Sequence, residues 1–590
     1  MPATAPVRVA ILRAELARRG LNAFILPRYD AHQGEYIAPH DERLRHVTGF
    51  SGSAGMAIVT ADDVALFVDG RYTVQAAHEC AGALFSHHSL TATPPDGWLR
   101  GAARSGWRVG CDPWHLPPLW FDRFEAACTA AGAELVAVDG NPVDAVWPDQ
   151  PPPPAGAVTR FPEQLAGQGH AAKRAALVAH LQATGADVLV ETQPDNIAWF
   201  LNLRGSDVAF NPMPHSFLMA DRQGRVVWYV DPAKVDAGVA PEGVGMQPPS
   251  AFLSAPDGFL AAGRRVLFDP AFSPVAVRRA ILAAGAVPVA APGWITLTKA
   301  VKNPVELEGL RACHLQDGIA LTEFAAWLAR EVPARAAAGD PLTEREAEDH
   351  VLHLRRARPG FLSESFNSIS AAAGNASMCH YATAPGRNAA ILPENPYLLD
   401  SGGQYETGTT DATRSYSFGK RPPGYDRAYT AVFKAFHALA TLRFPPGTQG
   451  HHIDAICRRP LWDLGLDYDH GTGHGIGHRL SVHEHPQRIG RPVNPVDLKP
   501  GMVMSIEPGC YEADRFGIRI ENLFEIVACE DGFMEFRNLT WAPIQTDMLI
   551  AERLSDAERA WLVAYNREVA ARLAPHLGDA ARTWLEGVTA

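Results

Sequence analysis

The sequence predicts a chain of mixed α/β and α+β class, in which two tandem α/β domains precede a larger α+β domain. Three observations support this prediction. The helix–turn–strand order at the start of the chain returns in "AKRAALVAHLQATGADVLVET", the proline-rich "PDQPPPP" at 148–154 separates the two copies, and the pattern changes again after residue 303. Alternation of helices and strands of this kind is typical of layered α/β architecture.

The first domain is predicted over residues 1–150. An amphipathic helix over 7–19 ends near Gly20, "LNAFILP" follows as a strand, and "GMAIVT" and "DVALFVDG" form a hairpin. A secretory signal would need an uncharged apolar stretch at this end of the chain. The stretch instead carries the charged residues Arg8, Arg13, Glu15, Arg18 and Arg19.

The second domain is predicted over 156–302, after a stiff polyproline linker. Its segments "NIAWFLNLRGSDVAFNPM" and "SFLMADRQGRVVWYVDP" parallel "LRHVTGFSGSAGMAIVTADDVALFVDGRY" of the first domain. Both copies contain a Gly-Ser-centred loop, a strand, a turn, a strand and an aspartate. A duplicated α/β domain explains this parallel, and chance similarity of two α/β units is the alternative.

The third domain is predicted over 303–590. Pro304 opens a helical pattern rich in Glu and Arg, and helices then alternate with strands such as "YLLDSGGQY" and "MVMSIEPGCYEADRFGIRIENLFEIV". The tail "LSDAERAWLVAYNREVAARLAPHL" reads as an amphipathic helix that packs on the core.

Composition limits the partners of this chain. Its 590 residues are 47% hydrophobic and carry a net charge of −12, which argues against nucleic-acid binding through a basic face. The sequence contains no apolar run long enough to cross a bilayer. The eight cysteines form no CxxC pair and are scattered, as in a reduced cytoplasmic protein.

Residues 467–485, "DYDHGTGHGIGHRLSVHEH", contain five histidines: His470, His474, His478, His483 and His485. The first three are four residues apart, but the glycines between them each disfavour a helix by about 1 kcal/mol. The segment is therefore expected to be extended or looped. Two interpretations stay open at this point, a three-histidine zinc site and a glycine-rich turn with solvated or core histidines.

Four acids of the third domain fall at strands that otherwise look buried. Asp400 and Asp411 are 11 residues apart, which suits a hairpin, while Glu507 ends one strand and Glu521 lies in another. For each acid alone, a salt bridge or a helix cap is the alternative. Together they would repel one another unless cations bind, and two divalent ions would balance four carboxylates. Oxygen-rich sites with one imidazole suit Mn²⁺, Co²⁺, Fe²⁺ or Zn²⁺, and two such ions can share and activate a bridging water.

The set "LLDSGGQYETGTTDATR", "HGTGHGIGHRLSVHEHP" and "SIEPGCYEADRFGIRIEN" resembles the metallopeptidase family with the pita-bread fold, which includes methionine aminopeptidase, prolidase and Xaa-Pro aminopeptidase (aminopeptidase P). "YDAHQGEYIAPHDERLRHVTGFSGSAG", "VDGRYTVQAA", "NIAWFLNLRGSDV" and "HYATAP" resemble the large, three-domain, cytosolic type of Xaa-Pro aminopeptidase. This resemblance implies two creatinase-like N-terminal domains and a C-terminal pita-bread catalytic domain with a helical extension.

The resemblance also implies site residues. The metal ligands would be Asp400 on one ion, His474 and Glu507 on the other, and Asp411 and Glu521 bridging both. Of the five histidines of 467–485, only His474 matches a metal ligand. His380 of "HYATAP" and His483 match histidines that contact the substrate and the reacting carbonyl, and His470 matches one that lines the pocket for the proline side.

Three other residues near these motifs are not assigned to metal or substrate binding by the resemblance. His478 and His485 match no family role and are expected to be structural or at the surface. Arg519 lies two residues before Glu521, so parity puts both on one strand face, where the arginine could hold a bridging carboxylate in place. A surface arginine is the alternative.

The implied function is that of a metal-dependent aminopeptidase. It would hydrolyse the N-terminal Xaa-Pro bond of peptides through a hydroxide that bridges two divalent ions, for which Mn²⁺ is the expected metal and Zn²⁺ or Co²⁺ are the alternatives. We expect a cytoplasmic homodimer that acts on peptides with proline second and binds neither nucleic acid nor membrane. The competing hypotheses are a prolidase that splits Xaa-Pro dipeptides, a non-enzymatic pita-bread binding module and a metal-free, creatinase-like hydrolase.

Overall fold

Two six-stranded mixed sheets of identical topology organise the first of two units, Met1–Leu297 and Thr298–Ala590. The computed structural model describes residues 4–254 and 258–589. In the first sheet, Ala23–Pro27 pairs antiparallel with the next strand along the chain and parallel with a later one. Val188–Glu191 does the same in the second sheet. This repeat confirms the predicted pair of α/β domains.

We call the part of this unit before Pro151 the first lobe. In sheet order its strands are Phe85–Ser89, Val64–Val68, Met56–Thr60, Ala23–Pro27, Arg108–Cys111 and Glu134–Ala137. Its helices are Ala5–Arg18, Arg43–Thr48, Thr73–Glu79, Pro95–Ala102 and Pro118–Ala130. The helix predicted over 7–19 and the predicted hairpin are both present.

The second lobe extends from Pro151 to Leu297. In sheet order its strands are Val244–Gln247, Val226–Tyr229, Phe217–Asp221, Val188–Glu191, Arg265–Phe268 and Val287–Ala290, and a short pair joins Thr159–Arg160 to Leu203–Arg204. Its helices are Glu163–Ala166, His170–Thr184, Pro194–Leu201 and Val275–Ala283, and Trp294–Ala300 continues into the second unit.

The second unit has one large sheet and several small ones. The large sheet orders Arg443–Phe444, Met534–Asn538, Asn522–Ala528, Val503–Ile506, Gly473–Gly475 and Glu484–Ile489. The small sheets are Ile369–Ala372 with Tyr397–Ser401 and Ala412–Tyr416, Phe361–Glu364 with Gly403–Tyr405 and Gly408–Thr409, and Gly509–Glu512 with Phe516–Arg519.

Six helices surround these sheets: Pro304–Ala337, Glu344–Arg356, Tyr425–Ala440, Gly450–Trp462, Asp556–Leu573 and Asp579–Thr589. The largest core of the unit lies where Tyr425–Ala440 and Gly450–Trp462 pack on the large sheet, and Phe433 and Phe436 are fully buried there. None of the helices in the described ranges is both long and apolar enough to traverse a bilayer.

Local sequence signals explain where the helices of this unit begin. The Asn303 side chain accepts hydrogen bonds from the Val305 and Glu306 backbone, and the Glu306 carboxylate accepts one from Asn303 N, with Pro304 in the first helical position. Similar reciprocal caps start the helices after Thr343 and Ser555. Such caps satisfy backbone donors that a helix leaves free at its start.

Candidate metal centre

The first two acids of the predicted site come from a pair of antiparallel strands. Asp400 lies in Tyr397–Ser401 and is opposite Thr413 of Ala412–Tyr416, while Asp411 immediately precedes that second strand. The connection between them is longer than a simple turn because Gly403–Tyr405 and Gly408–Thr409 form a small hairpin of their own. Pairing across the sheet brings both carboxylates to one place, as their spacing predicts.

The other two acids lie at strand ends. Glu507 follows Val503–Ile506 directly, as predicted, and its backbone N–H donates to Thr472 O at 2.8 Å. Glu521 is predicted to lie inside one alternating strand, and this prediction is wrong. The residue lies in a break, since Phe516–Arg519 pairs with Gly509–Glu512 whereas the chain from Asn522 onward pairs with Val503–Ile506. The Glu521 N–H donates to Thr413 O at 3.2 Å, which fixes the break against the Asp400 sheet.

His474 is the imidazole of this cluster. Its Nε2 lies 3.5 Å from Asp411 Oδ2 and 3.6 Å from Glu507 Oε1. Its Nδ1 is 2.8 Å from the Gly475 carbonyl, so Nδ1 donates and Nε2 faces the carboxylates. A Cβ at the preceding Gly473 would lie 2.0 Å from Ser505 O, so the glycine is needed for the close approach of the neighbouring strand.

The ligand-capable atoms form overlapping triplets, each with all separations within 4.8 Å. One triplet is His474, Glu507 and Glu521, and another is Asp400, Asp411 and Glu521. Glu521 belongs to both. Asp411 also forms a triplet with His474 and His483, so Asp411 and His474, like Glu521, each belong to two triplets.

Burial and mutual repulsion disfavour the charged forms of these acids. Burial, reinforced by the Asp411 charge, raises the pKa of Asp400 to about 7 although Arg519 opposes the shift. Burial and the Asp411 and Glu507 charges raise the pKa of Glu521 well above its ordinary value. Burial opposes the charge on His474, but its hydrogen bond to Asp411 and the Glu507 charge outweigh it and raise that pKa to about 9.

This donor set fits divalent cations. Asp400 Oδ1 and Asp411 Oδ1 are buried and receive no hydrogen bond from any described residue, although a buried carboxylate oxygen is costly without a partner. A cation would satisfy both oxygens and relieve the repulsion that raises the pKa values. Four carboxylates and one imidazole suit Mn²⁺, Co²⁺, Fe²⁺ or Zn²⁺ better than a structural thiolate-type zinc site would.

Arg519 is buried beside this cluster. Its Nη2 donates to Asp400 Oδ2 at 2.5 Å, and its Nε donates to Thr413 Oγ1 at 3.0 Å. Thr413 Oγ1 in turn donates to Glu521 Oε2 at 2.7 Å. The sequence suggested that this arginine holds a bridging carboxylate. In the structure it contacts Asp400 directly and reaches Glu521 through Thr413, because Glu521 lies beyond the end of the Arg519 strand.

Two further histidines of the 467–485 segment border the cluster. The His483 ring packs edge-on against His474 with centroids 4.4 Å apart. His470 Nε2 lies 2.8 Å from the Tyr511 hydroxyl, and its Nδ1 is 3.9 Å from Glu507 Oε2. Both histidines therefore lie where a molecule bound at the carboxylates would meet them.

The remaining histidines occupy different surroundings. His380 is half-buried in the loop that follows the 3₁₀ helix Ala373–Ser377. His478 is buried beside Gly309, whose added Cβ would lie 3.0 Å from its Nε2, and His485 is exposed. From the sequence we expect these two histidines to be structural or at the surface, and their roles stay predictions.

Glu344 is a supporting residue that sequence reasoning missed. Its carboxylate is fully buried and accepts hydrogen bonds from Ala372 N, Ala389 N, Asn375 Nδ2 and Tyr381 OH, at 2.7, 2.7, 2.9 and 2.8 Å. These donors come from both sides of the loop that carries His380. The sequence around Glu344 indicates only an acidic residue in the first turn of a helix. No local pattern therefore predicts that its carboxylate holds the His380 loop.

Buried charged side chains support the histidine segment in the same way. Arg458 donates to the carbonyl oxygens of Tyr468 and His470 at 2.6 and 3.0 Å. Glu484, the neighbour of His483, pairs with Lys302 and, at 2.8 Å, with Lys299. The partners are 10 to 185 residues apart in sequence, so the printed chain gives no sign that they meet.

Comparisons with known proteins agree with this organisation. Residues 308–528 match the profile of metallopeptidase family M24, and 532–590 match the C-terminal region of that peptidase. Two creatinase/prolidase N-terminal domain profiles match 8–146 and 149–306.

Relatives of similar length match almost the whole chain. Aminopeptidase P2 of Arabidopsis thaliana is 35% identical over 96% of this chain and 85% of its own length. A probable Xaa-Pro aminopeptidase P of Metarhizium acridum is 36% identical over 95% of both chains. The crystal structure of an X-prolyl aminopeptidase from Caenorhabditis elegans, described as a cytosolic enzyme with a di-nuclear active site, aligns with a TM-score of 0.94 at 32% identity, covering 100% of this chain and 99% of that one.

Proposed function

The chain belongs to metallopeptidase family M24, and we propose that it is a metal-dependent Xaa-Pro aminopeptidase that releases the first residue from peptides with proline second. Relatives that match at least 95% of the chain carry this activity in their names. The two N-terminal creatinase-like domains favour this activity over that of a prolidase, which has one such domain.

The observation that carries the proposal is the meeting of Asp400, Asp411, His474, Glu507 and Glu521 in one cluster, in which Asp400, Asp411 and Glu521 are buried and His474 and Glu507 are half-buried. Intact ligand residues argue against a binding module and against metal-free hydrolysis. The unsatisfied oxygens of Asp400 and Asp411 support cation binding independently of the comparisons.

In this proposal the cluster holds two divalent ions. Asp400 binds one, His474 and Glu507 bind the other, and Asp411 and Glu521 bridge them. The overlapping triplets that share Glu521 support this division. The bound pair would supply a water of lowered pKa as nucleophile at neutral pH. We propose Mn²⁺ as the ion, with Zn²⁺ or Co²⁺ as alternatives.

The residues around the cluster would perform the remaining steps. His483 donates a hydrogen bond to the Xaa-Pro carbonyl oxygen as negative charge develops there. Glu507 accepts a proton from the attacking water and returns it to the proline nitrogen. That nitrogen is a tertiary amide without hydrogen, so the C–N bond breaks only if a proton is delivered to it. His380 contacts the substrate, and His470 lines the side of the pocket that receives proline.

A chelator-treated preparation tests the activity. After Mn²⁺ is restored, we expect release of the first residue from an Xaa-Pro-Xaa tripeptide and much slower cleavage of the matching Xaa-Pro dipeptide. Turnover of the dipeptide alone would identify a prolidase. Absence of turnover with both peptides, in protein that binds about two metals per chain, would contradict peptidase activity altogether.

We further propose a cytoplasmic homodimer. The cysteine pattern and the description of the Caenorhabditis elegans relative as cytosolic support the location. The mass in solution, measured by light scattering after size-exclusion chromatography, tests the dimer, and a mass equal to one 63.7 kDa chain would contradict it.

A further inference from the structure

A second group of metal-ligating side chains lies in the first unit, and none of its residues is assigned to catalysis. Asp30, Asp41 and His215 each offer one ligand atom, and these atoms all lie within 4.8 Å of one another. Asp30 follows the strand Ala23–Pro27 and Asp41 ends the 3₁₀ helix Pro39–Asp41, both in the first lobe. His215 precedes the strand Phe217–Asp221 of the second lobe. The group therefore joins two lobes.

Asp30 has the features of a ligand whose partner is a cation. It is 1% exposed. Its Oδ1 accepts hydrogen bonds from His32 N and Gly34 N at 2.9 and 3.0 Å, which fixes the plane of the carboxylate. Its Oδ2 is buried and accepts no hydrogen bond from any residue within 4–254 or 258–589. A buried carboxylate oxygen without a donor is costly unless an ion binds it, and the rigid turn aims this oxygen at His215.

The distance between the two best-defined ligand atoms suits a metal. Asp30 Oδ2 and His215 Nε2 are 3.6 Å apart, too long for a hydrogen bond. Two ligands at about 2.1 Å from a tetrahedral ion are separated by about 3.4 Å.

The net charge of the surrounding side chains also favours the binding of one divalent cation. Arg43 donates to Asp41 at 2.8 Å, but its Nε and Nη2 form a two-pronged pair with Asp144 at 2.7 and 3.0 Å. The three carboxylates of Asp30, Asp41 and Asp144 therefore share the single positive charge of Arg43, and a net negative charge of two remains. The His32 ring lies 4.5 Å from that of His215, and its Nδ1 is held by the Thr192 carbonyl at 2.9 Å.

We propose that Asp30, Asp41 and His215 bind a divalent transition-metal ion, such as Zn²⁺, that joins the two lobes of the first unit. Two carboxylates and one imidazole are ligands that Zn²⁺ accepts, with water completing the shell. The ion has a structural role, because its ligands come from segments that otherwise meet through contacts such as His32 Nδ1 donating to Thr192 O at 2.9 Å.

Zinc stoichiometry tests the site in the full chain. Chelator-treated wild type and variants are dialysed against low-micromolar Zn²⁺, and bound zinc is measured by plasma mass spectrometry. We expect Asp30→Asn and His215→Gln each to bind one zinc fewer per chain than wild type. Asp112→Asn is the matched control, since both Asp112 oxygens already accept hydrogen bonds, from Trp114 N and Asn141 Nδ2, and it should bind as wild type does. Equal zinc content in wild type and both site variants overturns the proposal.

Two measurements on the unmutated chain keep the proposal testable if a variant misfolds. Crystals grown with zinc should give an anomalous peak between Asp30 and His215, and a map with peaks elsewhere but none there overturns the proposal. Zinc should also slow amide hydrogen exchange at residues 28–42 and 211–217 of wild type, because bound ligands suppress local opening. Unchanged exchange in both segments counts against the structural role.

Discussion

Asp411 is a residue whose negative charge we expect the metal centre to require. One of its oxygens lies 3.5 Å from His474 Nε2, and the other is buried without a hydrogen-bond donor. A neutral amide at this position keeps the shape but loses the charge that a bridging ligand contributes. The properties of the site should therefore respond more strongly to charge at this residue than to its size.

Asp411→Asn should reduce the metal content of the chain and lower activity by more than the 10–100-fold that outer-shell partners typically contribute. Metal per chain and tripeptide turnover are measured together. Asp426→Asn, which changes an acid paired with Arg421 away from the cluster, serves as control. Wild-type rates with full metal content would refute the assignment of Asp411 as a bridge.

His483→Ala separates substrate stabilisation from metal binding. If His483 donates to the developing oxyanion, kcat should fall by about 10²–10³ while the metal content stays unchanged. The triplet of Asp411, His474 and His483 allows the opposite outcome. Loss of one metal together with activity would identify His483 as a ligand instead.

Among the elements, the helix Glu344–Arg356 contributes to the site through its first residue. Glu344 holds both ends of the loop that carries His380, so this loop depends on a charge that lies outside it. Glutamine can accept at only one oxygen, and its amide group would face backbone N–H donors.

Glu344→Gln should lower the free energy of unfolding by about 2–3 kcal/mol, the range expected when buried donors lose a charged acceptor. KM should rise as the His380 loop loses its anchor. Chemical denaturation and tripeptide kinetics measure the two effects. Asp349→Asn on an exposed part of the same helix is the control. Unchanged KM with lower stability would restrict Glu344 to a purely structural role.

The same elements show what local patterns could and could not predict. Capping residues such as Asn303 and Thr343 and the alternation of apolar residues reveal helices and strands, because these signals act within a few residues. The break at Glu521 has no such signal. It arises because the strands before and after Glu521 pair with different strands, and those partners lie outside the few residues within which local signals act.

In the whole molecule, the stability of the catalytic unit should depend on whether cations are bound. Without them, the pKa of Asp400 is raised from 3.8 to about 7, so its contribution to stability is present in acid and lost as pH rises toward 7. The pKa of His474 is raised from 6.5 to about 9, so its contribution is lost as pH rises through that range. Both groups act in the same direction.

Metal-free protein should therefore be more stable at about pH 6 than at about pH 8, by about 3 kcal/mol, and its Tm should fall with rising pH. Thermal unfolding of chelator-treated protein measures this trend. Protein loaded with Mn²⁺ is the comparison, and there the trend should weaken or reverse because protons compete with the ions for the same ligands. A Tm of the metal-free form that rises with pH would contradict the proposed charge balance.

The sequence by itself determined the class of each domain, because periodicity and capping act within a few residues, and its resemblance to a known family supplied the five ligand candidates. Only the tertiary structure decided that Arg519 contacts Asp400, that Glu344 holds the His380 loop and that Asp30 approaches His215. These contacts join residues 28 to 185 positions apart, and strand pairing and burial, which no short stretch encodes, bring them together.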